Sequence, residues 1–246
     1  MKIEQHALFL PSLLTEVVSG RMMPAAMQRS YQWEKADVEA LCDSVISGFP
    51  IGGMLLWMPG GKADLSKVAK GRLGPICEFG ETAAWAPMYL LLDGQHRLAT
   101  LAWLMLQGQA PEADYSPSER AMFFGDERLV LDLASKSMKF VTHEVAESTL
   151  TLPAWVVMSS ASEEMSKQAA KLLRGLDGKF DEEALDQMYE LYDVARQAFS
   201  SARVTATTIK DATPEQAKHA FLRICRTGVP MSEADFEWAM AWNAAA

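Results

Sequence analysis

The stretch Met88-Tyr89-Leu90-Leu91-Leu92-Asp93-Gly94-Gln95-His96-Arg97-Leu98 constrains the fold more than any other part of the chain. A short apolar run bounded by turn residues predicts a buried strand over 88–92. The residues that follow predict a helix over about 94–107, with Leu98, Leu101, Ala102 and Met105 on one face. Ala99, Trp103 and Leu104 add apolar surface elsewhere, so this helix is expected to be buried on several sides. Strand, tight polar turn and helix N-terminus form a common anion-holding device, because the first N–H groups of a helix lack intrahelical acceptors and carry the positive end of its dipole. Asp93 is a good N-cap, and capping alone would account for it. Capping does not explain why His96 and Arg97 occupy the first turn, where acids are electrostatically preferred. An adjacent anion removes that conflict, with the planar Arg97 donor suited to phosphate oxygens.

The remaining pattern is an α/β first part followed by a mainly helical second part. Residues 8–19 predict a helix capped near Ser12, and Pro24 favours an extended Arg21–Met27. Val38, Leu41, Cys42 and Val45 recur at helical spacing between Glu34 and Ser47, with Gly48 and Pro50 as the stop. Met54-Leu55-Leu56-Trp57 reads as a buried strand and 59–87 as an irregular insertion. Leu129–Leu133 and Met138–Val141 read as a hairpin, and Ala154–Met158 as a further strand. Beyond residue 160, Leu185, Met188, Tyr192, Ala195 and Phe199 trace a helical stripe, and Val204–Ile209 suggests a short strand. Thr213-Pro214-Glu215-Gln216 is a capping box with Pro at the first helical position. The division expected is an α/β domain over 1–158 and a helical subdomain over 159–246 packed on it, ending on a helix without a clear stop.

Composition excludes several classes. A net charge of −9 argues against broad duplex binding, which requires neutralising many phosphates. A local basic cluster, Lys62, Lys67, Lys70 and Arg72, is still available for DNA; its alternative role is that of a solvated loop. No apolar run approaches the roughly 20 residues of a membrane span. Cys42, Cys77 and Cys225 are scattered among apolar neighbours, as expected of reduced core thiols in a cytoplasmic protein. The sequence has no GxSxG elbow, HExxH pair or GxxxxGK[ST] loop, and His6, His96, His143 and His219 show no metal-ligand spacing.

A second segment, Gln28-Arg29-Ser30-Tyr31-Gln32-Trp33, precedes the helix beginning near Glu34. Its Arg and Gln could take phosphate while Tyr31 or Trp33 stacks on a base. Equally, Trp33 could be a hydrophobic lid and Arg29 a surface ion pair.

In order along the chain, this segment, Ser44-Val45-Ile46-Ser47-Gly48-Phe49-Pro50-Ile51-Gly52, Leu55-Leu56-Trp57 and Leu92-Asp93-Gly94-Gln95-His96-Arg97-Leu98 resemble the N-terminal domain family of GmrSD-type modification-dependent restriction systems. Phe221-Leu222-Arg223-Ile224-Cys225-Arg226-Thr227-Gly228-Val229-Pro230-Met231-Ser232 resembles a further family element, with Cys225 where Asn is frequent. The resemblance implies an α+β, ParB/sulfiredoxin-like fold, a small mixed sheet with helices followed by a mainly helical part. It implies a domain that binds, and in some members hydrolyses, nucleoside triphosphates in anti-phage DNA restriction. Arg29, Tyr31, Gly94, Gln95, His96 and Arg97 would then contact the nucleotide, with His96 replacing a second Gln. Asp93 and Gln28 would be the catalytic candidates, Asp93 also holding Mg²⁺. No His/Asn nuclease centre is evident, so the implied nuclease partner is a separate subunit or a missing C-terminal domain. Sulfiredoxin-like chemistry is not expected, because Gln95 falls where the reactive cysteine would be. Two alternatives remain at this stage: a non-catalytic sensor of modified DNA, and a structural adaptor for an effector subunit.

Overall fold

In the computed structural model, which describes residues 1–28, 31–59, 68–70, 72–74, 76–78, 89–106 and 117–226, the apolar run before the Asp-Gly turn is a strand inside a five-stranded sheet. The first half of the chain comprises β1 (Lys2–Phe9), α1 (Leu10–Val18), β2 (Met22–Pro24), α2 (Lys35–Ile46), β3 (Met54–Pro59), β4 (Arg72–Leu73), β5 (Ile76–Glu78), β6 (Tyr89–Asp93) and α3 (Gln95–Met105). There follow α4 (Pro117–Phe124), β7 (Glu127–Asp132), β8 (Ser137–Thr142), α5 (His143–Ser148), β9 (Thr151–Pro153) and a 3₁₀ segment, Ala154–Ala161. The described chain ends with α6 (Glu163–Arg174), α7 (Glu182–Ser201), β10 (Arg203–Ala212) and α8 (Pro214–Arg226).

The main sheet is mixed, in the order β1-β10-β3-β6-β2, with β10/β3 and β2/β6 parallel and β1/β10 and β3/β6 antiparallel. One side carries the larger core, where Leu10 and Leu14 of α1, Val38 and Cys42 of α2, Leu98 and Leu101 of α3 and Phe199 of α7 meet. The other side buries Leu55, Trp57, Leu90, Leu92 and Ile209 against Ala217 and Phe221 of α8. β8-β7-β9 form a separate antiparallel sheet, and the architecture as a whole is α+β.

Local chemistry explains most boundaries. At the start of α2 the Glu34 N–H donates to Asp37 Oδ2 at 2.9 Å, and the buried face is Val38, Leu41, Cys42 and Val45. The capping box of α8 forms in both directions, Thr213 N–H to Gln216 Oε1 at 3.0 Å and Gln216 N–H to Thr213 Oγ1 at 3.3 Å. Leu185, Met188, Ala195 and Phe199 are the buried stripe of α7, while the half-buried Tyr192 reaches Ser159 at 3.0 Å through its hydroxyl. Cys42 is buried and burial pushes its thiol up, so it packs as a small apolar group. The side chains of Cys77 and Cys225 lie outside the described residues.

Several expectations are corrected. Residues 2–9 form a strand and the helix starts only at Leu10; β1 is an edge strand exposed on most positions, so it lacks an alternating apolar signal. Ala154–Met158 is 3₁₀ helix, and the strand is the preceding Thr151–Pro153, paired with β7. A short apolar run records burial without fixing the backbone period. The expected short strand near 204–209 is ten residues long and sits between β1 and β3. The chain after residue 159 therefore supplies an interior strand of the main sheet as well as helices. Among the described residues no helix is long and apolar enough to cross a membrane.

The β7–β8 hairpin carries a titratable lock. Asp132 is buried, which opposes its charge, but Lys139 at 2.8 Å and the Ser135 hydroxyl and N–H at 2.7 Å outweigh burial and hold the carboxyl below its usual value. A depressed carboxyl pKa gives stability that is complete above the unfolded value of about 3.9 and is lost as pH falls through the folded one. Urea unfolding between pH 7 and 2 is expected to show a smaller acid loss in Asp132→Asn than in the wild type. Equal acid losses would show that Asp132 contributes nothing to this dependence.

Candidate functional site

Leu90, Leu91 and Leu92 are fully buried and fix the end of β6, after which Gly94 takes a φ of 98° and serves as the N-cap of α3. Only glycine adopts this conformation without strain, so it turns the chain from strand to helix in one residue. The alternative in which Asp93 caps α3 is not what forms: among the described residues no side chain caps this helix, and Asp93 Oδ2 faces Arg97 Nη2 at 3.3 Å. The helical ladder begins with Leu98 N–H donating to Gly94 O at 3.0 Å, so the N–H groups of Gln95, His96 and Arg97 lie outside it.

At this helix end lies a cavity of about 410 Å³. Asp93, Gly94, Gln95, His96 and Arg97 form one wall, and Gln28, Met27, Trp33 and Phe221 the other. Gln28 donates its side-chain amide to the Leu92 carbonyl, which ties the 22–28 segment to the end of β6 and leaves Oε1 as its remaining polar function. Arg97 donates through Nη1 to the Ile51 carbonyl at 2.6 Å and pairs with Asp93 through Nη2. The Arg97 side chain is 18% exposed and that of Asp93 48% exposed. A pair with a half-exposed carboxylate is worth about 1 kcal/mol or less, whereas guanidinium–phosphate bonds are charge-assisted at roughly 1.5–3 kcal/mol. Arg97 is therefore held in place without being neutralised against a stronger anion.

His96 lies in an aromatic stack, its ring 5.1 Å from Tyr31 and 5.9 Å from Trp33 with tilts of 34° and 31°. Tyr31 is corrected as a nucleotide-stacking candidate: it is 6% exposed, its hydroxyl is 2.7 Å from Thr100 Oγ1, and it supports His96 from inside the core. Trp33 and Phe221, which are both in the cavity wall, are the aromatics that can face an occupant beside His96. Arg29 lies outside the described residues, as do Lys62 and Lys67 of the basic cluster. Lys70 is half-buried, its N–H donates to Pro24 O at 2.8 Å, and burial lowers its ammonium pKa. Arg72 is committed through Nε to Gly74 O at 2.6 Å. Lys70 is thus joined to the end of β2 through its backbone, and the Arg72 side chain to its own turn.

Among the described residues no group of three or more His, Cys, Asp or Glu is placed to hold a metal. Among the described residues that line the cavity Asp93 is the one carboxylate, a single donor of the kind magnesium takes when phosphate and water complete its shell.

Two elements of the site could not be found from the motif. Ile51 supplies its carbonyl to Arg97, and a Cβ added at Gly52, whose φ is +82°, would collide with Arg97 Nη1. Phe221 reaches the wall from α8, and the only sequence signal for it is its place at the head of the Phe221–Ser232 element. Gly52→Ala is expected to displace Arg97 and reduce anion affinity about tenfold, with a stability loss of about 1–2 kcal/mol from the left-handed backbone. Anion titration followed by urea unfolding separates these effects, and a variant matching the wild type in both would remove Gly52 from the site.

The family model described as GmrSD restriction endonuclease, N-terminal domain, matches residues 12–238. No curated protein matches the chain. The match covers both walls of the cavity, and the chain belongs to the GmrSD N-terminal domain family.

Proposed function

We propose that this member of the GmrSD N-terminal domain family binds and hydrolyses a nucleoside triphosphate in the cavity at the N-terminus of α3, and thereby regulates the nuclease of a DNA restriction system. The observation that carries the reading is the coincidence, in one cavity, of a helix N-terminus, a positioned guanidinium and a half-exposed carboxylate.

In this reading the α3 N–H groups and Arg97 bind the triphosphate oxygens, and Trp33 covers the base or sugar. Magnesium, held by Asp93 and phosphate oxygens, would neutralise charge on the polyphosphate. Arg97 stabilises the charge that develops as the terminal phosphoryl leaves, because its fork is already oriented by the Ile51 carbonyl. Gln28 Oε1 accepts a hydrogen bond from the attacking water and orients it; an amide is not basic enough to take the proton. His96, supported by Tyr31, closes the wall beside Gln95. Nuclease chemistry is assigned to a partner subunit or domain, and recognition of modified DNA is shared with it. A cytoplasmic setting follows from the system's task.

Calorimetry with each of the four ribonucleoside triphosphates and Mg²⁺, paired with a phosphate-release assay, tests this. At least one triphosphate is expected to bind and turn over. Gln28→Ala is expected to retain binding within a few-fold and to lose roughly 10²-fold in turnover, the scale of one positioned polar group. If no triphosphate binds, the reading fails.

A further inference from the structure

We propose that Asp93 makes the cavity at the N-terminus of α3 selective for a triphosphate that already carries a divalent cation, and that it turns away the same anion without its metal. The inference rests on the triphosphate reading and deepens it, because it names the form in which the ligand is taken.

Among the described residues that line this cavity, Arg97 and Asp93 carry the fixed charges, one of each sign. The two charges cancel, and the chain as a whole stands at −9. Beyond the partial charge of the helix end, this wall offers little to draw in a free polyanion.

The backbone keeps both groups at the cavity. Asp93 is the last residue of β6 and is paired in register with Leu55 of β3. Arg97 donates to the Ile51 carbonyl at 2.6 Å, and its Nη2 lies so close over the turn that a Cβ added at Gly94 would stand 3.5 Å from it. On its other side the same Nη2 meets Asp93 Oδ2 at 3.3 Å. The two partners differ in exposure, 48% for the Asp93 side chain against 18% for Arg97. The carboxylate can therefore leave the guanidinium while Arg97 stays bonded to Ile51. Asp93 has no capping bond to give up, since among the described residues no side chain caps α3.

This pair responds in opposite ways to the two forms of the ligand. A metal-free triphosphate that reaches Arg97 brings its oxygens beside Asp93, and like charges at that range repel. Its oxygens must also compete with Asp93 for Nη2. A triphosphate that carries a divalent cation presents positive charge to Asp93, whose oxygens suit a hard cation. As Asp93 turns toward that charge, Nη2 is released to bond phosphate. One carboxylate thus opposes the free anion and favours its metal complex.

The test is calorimetry of the full chain with the four ribonucleoside triphosphates and with inorganic triphosphate, each once in excess Mg²⁺ and once in EDTA. Wild type is expected to bind the magnesium complex about tenfold more tightly than the free anion, or better. Asp93→Asn, which keeps the shape and removes the charge, is expected to bind the free anion about tenfold more tightly than wild type does, and the magnesium complex about tenfold less tightly. The gain for the free anion is diagnostic, because damage to the fold would weaken both forms. Equal wild-type affinities with and without magnesium overturn the inference, as does an unaltered magnesium dependence in Asp93→Asn; either result leaves the triphosphate reading standing. If inorganic triphosphate shows the magnesium dependence while no nucleoside triphosphate binds, the nucleotide reading fails and the role of Asp93 is upheld. If no probe binds under either condition, both fall.

Discussion

Arg97→Ala is expected to lower triphosphate affinity about 100-fold, or about 2.7 kcal/mol, the scale of two charge-assisted bonds to phosphate. The substitution removes the only cation among the described residues that line the first cavity. It also frees the Ile51 carbonyl and Asp93, which Arg97 now holds at 2.6 and 3.3 Å. Part of the loss would therefore be positional, since Asp93 would face incoming phosphate without its partner. Arg97→Lys is expected to recover little, because a single ammonium cannot bond Ile51 and phosphate in the same planar fork. Calorimetry with the preferred triphosphate reads the effect, and urea unfolding of the same variant separates lost binding from lost stability. An affinity within threefold of wild type would show that the helix end binds its anion without Arg97.

Trp57→Ala is expected to cost about 3–5 kcal/mol of folding stability, the range for deleting a buried aromatic. Trp57 is fully buried on β3, flanked by β10 and β6, and its Nε1–H donates to the Ala212 carbonyl at 3.0 Å. It joins the strand that precedes the site to the end of β10, 155 residues away in sequence. Against a typical total stability of about 5–15 kcal/mol, the variant would lie close to unfolding at ambient temperature. Trp57→Phe keeps a ring but leaves the Ala212 carbonyl without its donor, for a loss of about 1–3 kcal/mol. Urea titration followed by circular dichroism measures both, and an unchanged midpoint for Trp57→Ala would mean that this side of the sheet does not need the indole.

Elements whose cause is local were legible in the sequence. The Val38/Leu41/Cys42/Val45 stripe, the Thr213–Gln216 capping box, the β7–β8 hairpin and the β6–Gly94–α3 unit arise from periodicity, caps and turn residues within a few positions. The same segment marked out Asp93, Gly94, Gln95 and Arg97, which the fold brings to one cavity with Gln28. β1, an exposed edge strand, carries no apolar alternation, and at Ala154–Met158 burial alone does not distinguish a strand from a 3₁₀ turn.

The amino-acid order by itself determined where strand hands over to helix and which side chains stand at that helix end, since both follow from neighbours along the chain. Only the tertiary structure decided that Tyr31 is packed inside, that Asp93 pairs with Arg97 rather than capping α3, and that the late strand β10 lies within the sheet. Gln28 meets Leu92 across 64 positions and Arg97 meets Ile51 across 46. Such contacts are chosen by which hydrophobic faces must be buried together, a condition set by the whole chain that no short window contains.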